Sequence, residues 1–219
     1  MTDYDADWLQ NCVGGGRLPG SSSPSAGSRR LLWTGDELSL TDADLKPVDF
    51  DRLVTRDDGG MKDLLAALLR YGFAHVDGAP ATMDATKGAC ERIFFIQKTF
   101  YGEYFLFGDL NVNQRGVIDH IFRDTAFSML GIGAHNDGTY FISPPGFQVL
   151  HCLGRPVGTG GKNLLVDGFR VAETLRRRAP DTFDVLVRTR LDQQFLEPTR
   201  SIRSQTTVLK DVPAGGELE

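Results

Sequence analysis

Residues 60–72, GMKDLLAALLRYG, leave this chain little conformational choice. Met61, Leu64, Leu65, Leu68 and Leu69 recur at helical spacing while Lys62, Asp63 and Arg70 take the other face, the pattern of an amphipathic helix. Gly72 suits the helix stop, because glycine takes the left-handed conformation that ends helices without a steric penalty. Phe73 to Val76 (FAHV) then reads as a buried strand. A second helix is expected to begin near Thr82 or Asp84, both plausible N-caps. It would carry Cys90, Ile93, Phe94 and Gln97 towards the aromatic run from Phe100 to Phe107. Phe147 to Leu153 (FQVLHCL), bounded by PPG and a Gly-rich turn, and Asn163 to Val166 read as strands. GFRVAETLRRRAP reads as a helix stopped by Pro180, and Asp181 as the cap of a further short helix, DTFDVLVRT. Strands on both sides of inserted helices predict a sheet-rich α+β domain rather than an alternating parallel fold.

Two stretches bound this body. Residues 13–29, VGGGRLPGSSSPSAGSR, are rich in Gly, Ser and Pro and read as a flexible linker. What precedes them is too short to fold alone. From Arg200, RSIRSQTTVLKDVPAGGELE has no sustained period and reads as an irregular tail. The expected organisation is therefore 1–30, 31–199 and 200–219.

Composition narrows the class. The 219 residues suit one domain with a sizeable core. A net charge of -5 argues against nucleic acid as the main partner, since a phosphate backbone needs a basic face. Arg176, Arg177 and Arg178 lie in a helix-like stretch with compensating acids and read as a solvated face. Cys12, Cys90 and Cys152 are widely spaced and form no C-x-x-C pair, so a reducing compartment is expected. No apolar run approaches the roughly 20 residues that span a bilayer, so no membrane partner is expected. MTDYDADWLQN has neither a signal-peptide core nor an Arg-rich transit pattern.

The chemistry-bearing motif is His135-Asn136-Asp137. On an extended segment, side chains two residues apart share a face. One imidazole and one carboxylate are two of the three groups of the 2-His-1-carboxylate triad, which holds Fe(II) and leaves positions open for co-substrate and oxygen. H-x-D alone is a weak signal.

Its surroundings are more specific: HNDGTYF, then PPGFQVLHCL, then GTGGKNLLVDGF. Together they resemble the trimethyllysine and γ-butyrobetaine hydroxylases of carnitine biosynthesis, within the taurine-dioxygenase-like oxygenases. The likeness runs from LLW at Leu31 through GMKDLLAALLRYGFAHVDGAP, YGEYF, DTAF and VDGFRVAETLRRRAPDTFDVL to FLE at Glu197. It leans towards the trimethyllysine enzymes in TYF after the motif, GTGG, and LLVDGF with AP ahead of the next helix. The resemblance implies an incomplete double-stranded β-helix (jelly-roll-like) oxygenase core with flanking helices, occupying residues 31–199, with residues 1–30 a remnant of an N-terminal domain plus linker. It implies Fe(II) and 2-oxoglutarate, with ascorbate as helper, and a quaternary ammonium substrate. His135 and Asp137 map onto the first two iron ligands.

Aromatic faces are the natural receptor for a trimethylammonium cation. Tyr101, Phe105 and Phe127 fall at the family's cage positions, and Asp124 at that of an acid meeting the substrate's amino-acid end. The sequence departs here: relatives carry polar-edged aromatics at Phe105 and Phe127, and an extra segment around Asp109 to Asp119 separates YGEYF from DTAF. As packed core aromatics these residues would need no ligand. Asn163 stands where relatives place a Thr that hydrogen-bonds 2-oxoglutarate. His151 reads as a packed strand histidine beside Phe147 and Val149.

The family's distal His ligand and the Arg that anchors 2-oxoglutarate have no counterpart: the last histidine is His151, and Arg200 and Arg203 lack matching context. Cys12 alone cannot form the zinc site of the family's N-terminal domain. Little or no hydroxylase activity is therefore expected of this polypeptide. The competing readings are a non-catalytic remnant that binds quaternary ammonium compounds or forms a homodimer, and a different metal held by His135 and Asp137 with His120 or His151. The compartment is expected to be mitochondrial or cytoplasmic.

Overall fold

A computed structural model describes residues 30–38, 45–55, 58–104, 106, 131–154, 162–197 and 200–210. The chain divides into two compact units: residues 1–79, 167–188 and 209–219 form one, residues 80–166 and 189–208 the other.

In the first unit, β1 (Val48–Asp49) runs into α1 (Phe50–Val54), followed by α2 (Asp58–Tyr71) and β2 (Val76–Asp77). β1 and β2 pair in parallel, Val48 opposite Val76 and Asp49 opposite Asp77. Asp49 caps α1 by accepting from the Arg52 backbone N–H at 3.0 Å, the side-chain capping expected of an Asp. The α2 helix buries Leu64, Ala67 and Tyr71 along one stripe and leaves Leu65 and Leu69 at the surface. Its N-terminal turn crosses α1 so closely that a Cβ at Gly60 would stand 2.5 Å from the Arg52 carbonyl oxygen. Gly72, at φ +79°, ends α2 with its N–H on the Leu68 carbonyl. Trp33 packs with Leu45 and Tyr71, stands edge-on to Phe73 at 5.6 Å and donates its indole N–H to the Tyr71 carbonyl at 2.9 Å.

The same unit contains α4 (Gly168–Arg178) and α5 (Pro180–Arg188). Asp167 caps α4 through Oδ1, which accepts from the Phe169 and Arg170 N–H groups, while Oδ2 accepts from the Trp33 N–H at 2.9 Å. One carboxylate thus satisfies helix-end donors and ties α4 to the LLW segment. Pro180 opens α5 at a position where its missing N–H costs nothing, and Phe183 N–H reaches the Ala179 carbonyl. Asp181 therefore lies in the first turn of α5 instead of capping it.

In the second unit, α3 (Met83–Ile93) is capped by Thr82, whose hydroxyl accepts from Ala85 N–H at 3.2 Å. An antiparallel hairpin closes the unit: β3 (Arg190–Glu197) pairs with β4 (Arg200–Thr207) in register from Arg190 opposite Thr207 to Glu197 opposite Arg200. Phe195 and Ile202 face each other on the half-covered side.

The architecture mixes helices and strands, as expected, but its strands lie elsewhere. Residues 200–207, expected to be an irregular tail, form β4. Their alternation is carried by Ile202, Ser204 and Thr206 with one strongly apolar member, so no hydrophobic period marks it. Phe147 to Leu153 and Asn163 to Val166 are not strands, and Phe147, Val149, Leu150, Leu164, Leu165 and Val166 are exposed. In FAHV only Val76 joins a ladder, and none of its residues is buried. A strand exists only where a partner takes its backbone N–H and C=O groups, and apolar composition does not show where that partner is. No helix among the described residues is long and apolar enough to cross a membrane.

Candidate metal and substrate site

His135 and Asp137 lie in the second unit, where the irregular segment 131–136 enters a turn at Asp137. The turn closes with Phe141 N–H on the Gly138 carbonyl at 2.9 Å. Gly138 takes φ +70° and is buried; a Cβ there would stand 3.0 Å from Phe141 Cδ2 and 3.1 Å from Pro145 Cδ. Both the conformation and the space select glycine.

The two side chains converge, His135 Nε2 lying 3.2 Å from Asp137 Oδ1, with side-chain exposures of 49% and 52%. His135 Nδ1 lies 2.7 Å from the Gly133 carbonyl oxygen. A carbonyl only accepts, so Nδ1 carries the proton in this contact, and a neutral ring then turns the Nε2 lone pair towards Asp137 Oδ1. With metal–ligand bonds of about 2.0–2.2 Å, donors at neighbouring right-angle positions stand about 3 Å apart, so the observed separation fits one ion. The backbone carbonyl behind Nδ1 is also the usual orienting partner of a ligating histidine.

Asp137 Oδ2 accepts a hydrogen bond from the side-chain amide of Gln148, a residue that sequence reasoning missed. Its only signal was an amide between Phe147 and Val149 in an otherwise apolar stretch.

Among the described residues no group of three His, Cys, Asp or Glu side chains converges on a metal position. His151 is half-buried, with Nδ1 2.5 Å from Thr86 Oγ1 of α3, is not in a strand, and does not join His135 and Asp137 in a three-ligand group among the described residues. His120 lies outside the described residues.

Three residues beyond Asp137, Tyr140 joins an aromatic cluster. Tyr101 and Tyr140 hydroxyls are 3.4 Å apart, and Phe195 of β3 lies 4.6 Å from Phe100, 5.1 Å from Tyr140 and 6.1 Å from Tyr101 between ring centroids. The Arg200 guanidinium stands 4.8 Å from the Phe100 centroid, within cation–π reach. Ser204 of β4 donates to the Thr139 carbonyl at 3.0 Å. The hairpin that sequence reasoning assigned partly to a tail therefore braces the loop bearing the metal motif. Of the expected cage, Tyr101 is in this cluster, while Phe105, Asp124 and Phe127 lie outside the described residues. Asn163 is exposed in the irregular stretch before α4.

Three charged side chains pair close to Tyr101 in the chain. Glu103 pairs with Lys87 at 2.7 Å and Lys98 at 3.0 Å; hydrogen bonds from Lys87, then Lys98, lower its pKa, and the Glu103 bond raises that of Lys87. Burial, then the charge of Glu91, pushes the Cys90 thiol up, away from the thiolate a reactive cysteine needs.

These features describe one imidazole and one carboxylate, two of the three groups of a 2-His-1-carboxylate set, in a loop that also carries Tyr140 of the aromatic cluster. Residues 36–208 match the family described as Taurine catabolism dioxygenase TauD, TfdA family, and the chain belongs to that family. It is similar to "Trimethyllysine dioxygenase, mitochondrial" of Bos taurus, 35% identical over 197 residues covering 90% of this chain and 42% of the relative. The same protein of Rattus norvegicus is 36% identical with the same coverage, and "Gamma-butyrobetaine dioxygenase" of Pongo abelii is 26% identical over 192 residues, 87% of this chain and 45% of the relative. The chain thus spans about two fifths of the length of the trimethyllysine relatives it matches.

Proposed function

We propose that this chain is the iron-motif portion of an Fe(II)- and 2-oxoglutarate-dependent hydroxylase of the trimethyllysine dioxygenase type, with γ-butyrobetaine as the alternative substrate. The observation that carries the reading is the convergence of His135 Nε2 and Asp137 Oδ1, three residues from the aromatic cluster. In this reading residues 31–199, extended through β4, belong to a double-stranded β-helix oxygenase core. His135 and Asp137 supply two neighbouring ligand positions. Bound Fe(II), 2-oxoglutarate and oxygen would supply the oxidising chemistry that hydroxylates a C–H bond, with ascorbate as helper.

The remaining residues bind and orient. Tyr101 and its aromatic neighbours receive the trimethylammonium group, as the Arg200 cation over Phe100 illustrates. The resemblance adds Phe105 and Phe127 as cage residues and Asp124 as the acid for the substrate's amino-acid end. Asn163 donates its amide to a 2-oxoglutarate carboxylate. The mitochondrial names of the first relatives favour that compartment over the cytoplasm.

The described residues bring together two ligands, and two hold iron less firmly than three, so the reading expects weak binding of a divalent ion and little turnover of 2-oxoglutarate. The test is metal binding and succinate formation with Fe(II), 2-oxoglutarate, ascorbate and trimethyllysine, alongside a His135→Ala control. Saturable metal binding lost in the control, with succinate at control level, supports the reading. Metal binding that His135→Ala leaves unchanged refutes the site, and turnover above the control refutes the expected inactivity.

A further inference from the structure

A carboxylate has two oxygens and rotates easily about its terminal torsion. Asp137 is half exposed, so the backbone alone does not decide whether it meets a metal with one oxygen or two. The neighbours do. Oδ1 faces His135 Nε2, and Oδ2 receives the Gln148 amide N–H. An ionised carboxylate only accepts, so the Gln148 contact has to be made by its NH2 group.

Gln148 is itself held from outside the motif. Its neighbour Phe147 stacks on Phe94, the residue ending α3, with ring centroids 4.7 Å apart and planes 10° from parallel. Gln97, just beyond α3, donates to the Ser143 carbonyl at 3.1 Å. Three residues after Gln148, His151 engages Thr86 of α3. A helix and the segment following it thus brace residues 143–151 at three points.

We propose that Gln148 is a positioning residue for the metal site: its amide occupies Asp137 Oδ2, presents Oδ1 beside His135 Nε2, and enforces ligation through one oxygen. The proposal rests on the reading of His135 and Asp137 as metal ligands. Hydrogen-bonding partners of ligands typically change metal affinity by about 10–100-fold when removed.

The experiment titrates the whole chain with Co(II), following the visible absorption and the paramagnetic shifts of the His135 ring protons. Infrared difference spectra report whether the carboxylate binds through one oxygen or two. Gln148→Met keeps length and volume but removes the donor, and Gln148→Leu serves as a second variant; far-UV circular dichroism checks that each is folded. Support would be saturable binding in the native chain, its loss in His135→Ala, and about 10–100-fold weaker binding in Gln148→Met with a carboxylate spectrum shifted towards two-oxygen ligation. If His135→Ala abolishes binding while Gln148→Met matches the native chain in affinity and spectrum, the role of Gln148 is overturned and the metal site stands. If the native chain shows no binding that depends on His135, both fall.

Discussion

The two units of this chain are built on different principles. Every buried apolar side chain among the described residues, from Trp33 and Leu53 to Ala172 and Phe183, belongs to the first unit. The second unit carries His135 and Asp137 yet leaves Ile142 92% and Leu164 74% exposed. It is held by the β3–β4 ladder, ring stacking, the Lys87–Glu103–Lys98 pairs and single hydrogen bonds such as Ser204 to Thr139. Apolar burial concentrates where a helix stripe is covered, while His135 and Asp137 sit where the apolar groups are mostly exposed. Functional loops are drawn from the less stable end of a structure, and here that end includes the imidazole–carboxylate pair.

The contrast is sharpest at Leu53, which is 1% exposed in the first unit. Leu53→Ala is expected to cost about 2–5 kcal/mol, from lost transfer free energy and the cavity left behind, measured by denaturant unfolding. Phe195→Ala, in the second unit's aromatic cluster, is expected to cost about 1–2 kcal/mol; a loss equal to that at Leu53 would break the comparison. Gly60→Ala gains about 0.8–1 kcal/mol of helix propensity, but the new Cβ meets the Arg52 carbonyl at 2.5 Å. A net loss of about 1–2 kcal/mol is expected from this overpacking, and a stabilised variant would show that α1 and α2 separate freely. Asp167→Ala removes both the α4 cap and the Trp33 bond and is expected to cost about 1–2 kcal/mol, against about 0.5–1 for Thr82→Ala at the cap of α3; thermal melts compare the two.

The smallest expected effect is the pH response of the second unit. The Glu103 carboxyl titrates below its ordinary 4.5 because Lys87 and Lys98 hydrogen-bond its charged form. A lowered folded-state value means that this stabilisation is present above the unfolded value and lost as pH falls through the folded one. Thermal melts should therefore show a loss below about pH 4.5 that Lys87→Met diminishes. Glu173, held down by Arg177 and Arg176 in the first unit, loses stability with the same sign, so residue-resolved titration separates the two.

Much of the first unit was legible in the chain itself. The α2 helix, the Gly72 stop and the paired helices around Pro180 follow from residues within a turn or two of one another, as does the Thr82 cap in the second unit, although of the expected α2 stripe Leu65 and Leu69 are exposed and Ala67 and Tyr71 are buried instead. The motif His135-x-Asp137 was legible as well, as was Tyr101 as a member of an aromatic group. The partners were not: Gln148 on Asp137, Thr86 on His151, Phe195 on Phe100 and Ser204 on Thr139 lie between 11 and 95 residues apart in sequence.

Sequence alone therefore determined most of the helices and some of their ends, and that an imidazole and a carboxylate stand two residues apart, because helix hydrogen bonds, caps and periodic apolar stripes are local; it did not mark α1, and α3 ends at Ile93, short of the expected Gln97. Only the tertiary structure decided that residues 200–207 are a strand, that the apolar stretches near 150 and 165 are not, and which oxygen of Asp137 faces His135. Strand pairing and carboxylate orientation depend on groups brought together across loops, and a one-dimensional pattern carries no distance between them.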